Sequence, residues 1–166
     1  MIIIKDLLDV DLIPDIIQLY RNSTNSVIMP DGIRSDRYTT PGVGHFMYGH
    51  FTQEEMQFVW DNIKDKLPEY TPEIFRILRY RKNNYVHRHT DISSKKPEDN
   101  PTTHSLIIQL SDPDNYVGGD PIVGDNLVEL RPGDAVIYHY GEEHEVKRVR
   151  KGIRFVVNIR LFKQDS

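Results

Sequence analysis

The stretch Asn84-Tyr85-Val86-His87-Arg88-His89-Thr90-Asp91 decides how this chain is read. It reads as a strand. Along a strand, side chains two apart project from one face, so His89 and Asp91 reach a single ion together. An imidazole and a carboxylate suit a borderline divalent metal, and one more ligand would complete a facial triad with three open positions. That ligand has to come from another segment. Tyr138-His139-Tyr140-Gly141-Glu142-Glu143-His144-Glu145-Val146 offers His144, just past an apolar strand at 134–138. Spacing leaves two choices open: His87 shares the face of His89 and Asp91, and His139 competes with His144. We assign His87 and His139 as polar strand or loop residues.

Outward from the histidine strand, short β-rich segments run over 74–81, 84–88, 104–110, 127–130, 134–138 and 153–162. Turn signals separate them, among them Asp112-Pro113-Asp114-Asn115, Gly118-Gly119 and Arg131-Pro132-Gly133-Asp134. The N-terminal part reads differently. Residues 2–4 suggest a short strand, and Val10, Ile13, Ile16, Ile17 and Tyr20 are spaced as on a helix over 9–21, with Pro14 in its first turn. Residues 22–50 read mostly as loop. Thr52 and Glu55 form a capping box that opens a second helix, which Pro68 ends. Helices followed by a succession of strands predict an α+β, mainly β fold: an antiparallel jelly roll over 74–162, supported by helices and loops of 1–73. No repeat or low-complexity tract interrupts the 166 residues, so one domain over 1–166 is expected.

Arg154 lies ten residues past His144, within Gly152-Ile153-Arg154-Phe155-Val156-Val157-Asn158-Ile159-Arg160. A guanidinium on an apolar strand points into an interior, which costs several kcal/mol unless an anion pairs with it. The bland explanation is a buried Arg–Asp or Arg–Glu pair. A carboxylate cosubstrate would satisfy the same planar fork.

Composition narrows the classes. With no cysteine, disulfides, thiolate metal sites and cysteine nucleophiles are excluded together. A 38% hydrophobic content and a mean hydropathy of -0.54 fit a globular chain. No apolar run is long enough to span a membrane. The opening Met-Ile-Ile-Ile-Lys-Asp lacks a leader's features, so a cytoplasmic location is expected. Net charge is -4, with no global basic field for nucleic acid. Only Arg76, Arg79, Arg81, Lys82 and Arg88 form a basic run, and a strand would send its members to opposite faces.

These elements, in this order, resemble the 2-oxoglutarate and Fe(II) oxygenase superfamily, in particular its prolyl 4-hydroxylase-like branch. The elements are Leu78-Arg79-Tyr80, His89-Thr90-Asp91, Gly118-Gly119-Asp120, Arg131-Pro132-Gly133-Asp134, and His144 through Arg154. The segment Leu110 to Asp120 is similar to PKHD-type hydroxylases. The resemblance implies a double-stranded β-helix, with His89, Asp91 and His144 as Fe(II) ligands. Arg154 would bind the distal carboxylate of 2-oxoglutarate with Tyr80 as partner. Gln109, where many relatives place a Tyr or Thr, and Asn158 are expected beside the cosubstrate, and Asn158 and Arg160 would line the mouth. It further implies O2 as oxidant, oxidative decarboxylation of 2-oxoglutarate to succinate and CO2, and ascorbate as an accessory reductant. The expected substrate is a peptide or protein residue, proline first, or a free amino acid. Two other readings stand beside it: nucleic-acid dealkylation, encouraged by the Arg154–Arg160 spacing, and a non-catalytic metal-binding jelly roll. The polar segment Ser93 to Pro101 could serve as a lid.

Overall fold

The computed structural model describes residues 1–23, 44–92 and 102–164. The elements in chain order are β1 (Ile2–Ile4), α1 (Ile13–Asn22), β2 (Gly44–His45), β3 (Met47–Phe51), α2 (Gln53–Ile63), β4 (Tyr70–Tyr80) and β5 (Tyr85–His89). There follow β6 (His104–Gln109), β7 (Tyr116–Gly118), β8 (Pro121–Val123), β9 (Asn126–Leu127), β10 (Ala135–His139), β11 (His144–Val146), β12 (Val149–Gly152) and β13 (Arg154–Lys163). The expected lid falls at 93–101 and much of the expected N-terminal loop at 24–43, both outside the described residues.

A six-stranded sheet in the order β1-β10-β6-β13-β4-β3 faces a five-stranded sheet in the order β2-β5-β11-β8-β9, and β12 pairs with β7. Every pairing is antiparallel. This is the double-stranded β-helix, or jelly roll.

Alternation along the large sheet sorts its side chains into two layers. Phe75, Ile77, Leu106, Ile108, Ala135, Ile137, Val157 and Ile159 point outward. They pack on Ile16 and Tyr20 of α1 and on Met56, Val59, Trp60 and Ile63 of α2. Thr52 accepts from the Glu55 backbone and Glu55 returns the bond, so the expected capping box opens α2. The other layer faces the opposite sheet. Tyr48, Leu78, Tyr80 and Val156 meet Val86 of β5 and Val149 of β12 there.

The N-terminal part contributes more than helices and loops. β1 pairs with β10, β2 with β5 and β3 with β4, so three of its segments complete the sheets. Residues 44–51 carry two of those strands within a stretch that reads as loop by its glycines and polar residues. Tertiary pairing overrides local composition there. The strand expected over 127–130 is regular only at Asn126–Leu127, while Val128 and Leu130 turn into the interior.

Candidate metal and cosubstrate site

β5 and β11 lie side by side, and His89 is the register partner of His144. Two residues further along β11, Val146 pairs with Val86, so three residues of β5 are matched by two of β11. That offset is a β-bulge. It puts Val86 and His89 on the inner face although they are three apart, and sends His87 and Arg88 to solvent. The expectation that His87 shares the face of His89 is therefore overturned. His139 also points away: it lies on the outward side of β10, beside His104 at 5.2 Å between ring centroids.

His89, Asp91 and His144 converge, with ligand atoms within 4.8 Å of one another. His89 Nε2 is 3.4 Å and His144 Nε2 3.3 Å from Asp91 Oδ1. Donors bound to one ion at about 2.1 Å and at right angles stand roughly 3 Å apart, so this triangle is near metal-binding size. Each imidazole is also oriented from behind. His89 Nδ1 is 2.6 Å from the His87 carbonyl oxygen, and His144 Nδ1 is 3.0 Å from that of Glu142. A carbonyl only accepts, so each Nδ1 carries a proton, and Nε2 is the atom turned to Asp91 and to the centre; a divalent ion bound there would take the place of the Nε2 protons that otherwise meet the carboxylate. The Asp91 amide donates to the Tyr140 carbonyl, fixing the chain just past β5.

The Asp91 carboxylate is enclosed, and its Oδ2 has no hydrogen-bond partner. Burial works to raise its pKa, but the His144 and His89 contacts and the Arg160 charge overcome it and hold the carboxyl well below the usual range. It is thus a charged ligand at any ordinary pH. Tyr138 stacks 4.5 Å from the His144 ring and adjoins Ser105. Alternation on β10 marks Tyr138 as inward with Val136, a signal the sequence itself carries.

At the β13 start, Arg154 is 1% exposed. Its Nε donates to Gln109 Oε1 at 3.0 Å, and its guanidinium lies 5.5 Å from the Tyr80 ring centroid. Its Nη2 is buried without a partner. No carboxylate among the described residues pairs with this cation, so none of them supplies an ordinary ion pair. Tyr80 connects the two parts of the site. Burial pushes its hydroxyl up to about 12, with Arg154 acting to lower it and Asp91 to raise it. The Gly118-Gly119 turn closes on the arginine stem. Gly119, at φ +68, would place a Cβ 2.9 Å from Val149 Cγ2 and 3.6 Å from Arg154 Cδ.

Two residues expected to meet the cosubstrate hold protein groups instead. Gln109 accepts from Arg154 and donates to the Tyr116 hydroxyl and the Ser111 carbonyl. It backs the guanidinium rather than facing a ligand. Asn158 donates to Ser105 Oγ and to the Leu106 carbonyl, tying β13 to β6. Arg160 does reach the mouth, with Nη2 3.3 Å from Asp91 Oδ1.

Residues 75–160 match the sequence family described as the 2OG-Fe(II) oxygenase superfamily, and the chain belongs to it. A PKHD-type hydroxylase of Pseudomonas putida (strain W619) is 33% identical over 84 residues, covering 46% of this chain but only 37% of that protein. Among solved structures, a viral collagen prolyl hydroxylase from Paramecium bursaria Chlorella virus 1, in its 2-oxoglutarate complex, superposes with a TM-score of 0.73. It is 15% identical, and the match covers 96% of this chain and 94% of that one. A Trichoplax adhaerens prolyl hydroxylase, solved with a hypoxia inducible factor peptide fragment, gives 0.67 at 13% identity, over 98% and 83% of the two chains. At such identities the likeness is one of fold. The donor set and the unpaired Arg154 fit the superfamily's metal and cosubstrate: two imidazoles and a carboxylate for Fe(II), a buried fork for a carboxylate.

Proposed function

We propose that this chain is an Fe(II)- and 2-oxoglutarate-dependent dioxygenase that hydroxylates a peptide-borne residue, proline first. One observation carries the reading: the buried Arg154, with its unpartnered Nη2 and no carboxylate against it among the described residues, lies beside Tyr80, whose hydroxyl also feels Asp91 of the His89–Asp91–His144 triangle. A metal-binding module has no use for that cation, whereas a dicarboxylate spanning from the metal to Arg154 satisfies it. His89, Asp91 and His144 hold the iron. Arg154 takes the distal carboxylate, Tyr80 lies alongside, and Gln109 keeps the guanidinium aimed. When bound, iron and 2-oxoglutarate supply dioxygen activation coupled to decarboxylation to succinate and CO2. The chain orients these groups and excludes water through Tyr80, Val149 and Val156, each at most 3% exposed.

The likeness to PKHD-type and prolyl hydroxylases supports a peptide substrate. The basic run gives nucleic acid little support. Arg79 turns toward Tyr20 beneath the sheet, and Arg88 is engaged by Asp125, Glu143 and Glu145. No helix among the described residues is long and apolar enough to cross a membrane. The test incubates iron-loaded protein with 2-oxoglutarate and ascorbate, offers a proline-rich peptide library or methylated oligonucleotides, and follows products by mass. A gain of one oxygen on peptides is expected. Demethylated oligonucleotides with untouched peptides would replace this reading with the dealkylating one.

A further inference from the structure

Three arginines face the interior of the jelly roll, and the mechanism above uses only Arg154. Arg76 and Arg160 stand toward the other end of the same layer. Arg76 is the register partner of Asn158, two residues before Arg160, so the two guanidiniums belong to neighbouring positions on β4 and β13. Arg160 touches Asp91 through Nη2, yet its Nε is buried without a partner. Arg76 has the same defect: its Nε is enclosed and unpaired, and its guanidinium carbon lies 6.0 Å from the centroid of the Tyr48 ring. No acidic side chain among the described residues forms an ion pair with Arg76.

The surroundings register this uncompensated charge. Burial, and then the neighbouring Arg160, bring the Arg76 pKa down to about 10. His50, the register partner of Arg76 on β3, is lowered to about 4 by burial and then by Arg76 and Arg160. His50 is therefore neutral and adds a hydrogen-bonding group without adding charge.

Charge balance shows that the loaded site does not cure the defect. Three guanidiniums and one Asp91 carboxylate leave a surplus of two positive charges among the described inward residues. A divalent metal and a doubly charged 2-oxoglutarate cancel each other, so the surplus persists when both are bound. Each unpaired buried cation is costly, and an anion seated between the two forks removes the cost. Arg79 and Arg88 are turned elsewhere, so the two forks can share one carboxylate but offer a phosphate backbone no continuous basic track.

We infer that Arg76 and Arg160, with His50 beside them, form a carboxylate subsite next to the metal centre that selects an acidic substrate: a peptide whose target residue carries a free C-terminal carboxylate or adjoins Asp or Glu. This rests on the hydroxylase reading for the reaction, and on geometry for the subsite. Arg76 and Arg160 are specificity residues for the substrate, while Arg154 serves the cosubstrate.

The full chain, loaded with Mn(II) and 2-oxoglutarate, is titrated calorimetrically with four blocked peptides. Two are acetyl-Gly-Pro ending in a free carboxylate or an amide, and two are acetyl-Gly-Pro-Glu-amide and its Gln counterpart. At least one acidic member binds at least tenfold tighter than its neutral twin, and which pair responds tells a terminal carboxylate from a side-chain one. Arg76→Gln shrinks that preference below threefold without weakening 2-oxoglutarate, and Arg76→Lys, which keeps the charge but loses the fork, gives an intermediate value. Because Arg76 has no ion-pair partner, thermal melting of Arg76→Gln stays level with the unaltered chain or above it. Equal binding of acidic and neutral peptides, or no binding of any, overturns the inference. So does an Arg76→Gln variant that loses 2-oxoglutarate while its peptide preference stands, since the pair would then serve the cosubstrate. When the same peptides are given to the iron-loaded chain, oxygen transfer without acidic preference in binding sinks the subsite alone, and preference without oxygen transfer sinks the hydroxylase reading alone.

Discussion

β13 buries both of its faces, for opposite ends. Outward, Val157, Ile159 and Leu161 have no exposed surface and join the layer under the helices. Inward, Val156 is apolar, but Arg154 and Asn158 on either side of it are nearly as hidden, at 1% and 4%, and polar, and Arg160 completes the row. Burial outward removes apolar surface from water and stabilises the fold. Burial inward desolvates charges whose partners the chain does not supply, which weakens the fold unless a ligand arrives. One strand thus separates stability from binding by side-chain alternation alone, and substitutions on its two faces should fail differently.

The largest effect is expected opposite the inner face. His144→Ala should abolish stoichiometric iron and with it turnover, while circular dichroism stays that of the folded chain. Retained iron in that variant, together with loss in His139→Ala, would break the ligand assignment. Next, Arg154→Ala should weaken 2-oxoglutarate by about 2–5 kcal/mol, roughly 30-fold to several thousand-fold, because the cosubstrate's charge would be left without its partner. Calorimetry with Mn(II) bound measures this separately from metal affinity, which should hardly move. An unchanged affinity would erase the contrast between the faces.

On the other face, Ile159→Ala should cost about 2–5 kcal/mol of stability by opening a cavity under the helices. Denaturant melts would show the loss, and 2-oxoglutarate affinity in the folded fraction should match the unaltered chain. The smallest effect tests positioning. Gln109→Leu removes the acceptor for Arg154 Nε and should weaken 2-oxoglutarate about tenfold, near 1.4 kcal/mol. Gln109→Glu, which seats a carboxylate on the guanidinium in competition with the cosubstrate, should weaken it further still. If Gln109→Leu proved as damaging as Arg154→Ala, Gln109 would have to touch the cosubstrate itself.

The residues of the triangle and of Arg154 were legible because their signals are local: a two-residue spacing, an arginine among apolar strand neighbours, and a fixed order of turns. The jelly roll followed from the succession of short strands. What escaped depends on pairing between distant segments. Gly44–His45 and Met47–Phe51 are strands because β5 and β4 receive them, and their own composition argues for loop. His50 and Arg76 enter the site only through that register, so nothing nearby in the chain marked them. Resemblance points Gln109 toward the cosubstrate and alternation with Arg154 points Asn158 there, but hydrogen-bond partners decide what an inward amide does. His87 was ambiguous because a regular strand was assumed where the ladder slips.

That slip makes the first arm of the site a matter of counting. Between Val86, which anchors β5 in the interior, and His89 stand two residues that contribute no inward side chain. In an even ladder these two residues would send Val86 and His89 to opposite faces, and the extra residue of the bulge is what lets both face inward. Forcing the same residues into regular pairing would therefore carry the imidazole to the solvent side, whereas exchanging His87 for another polar residue leaves the ladder as it is. Function here is stored as a break in a ladder, so a comparison of sequences that scores only which residues match will overlook it.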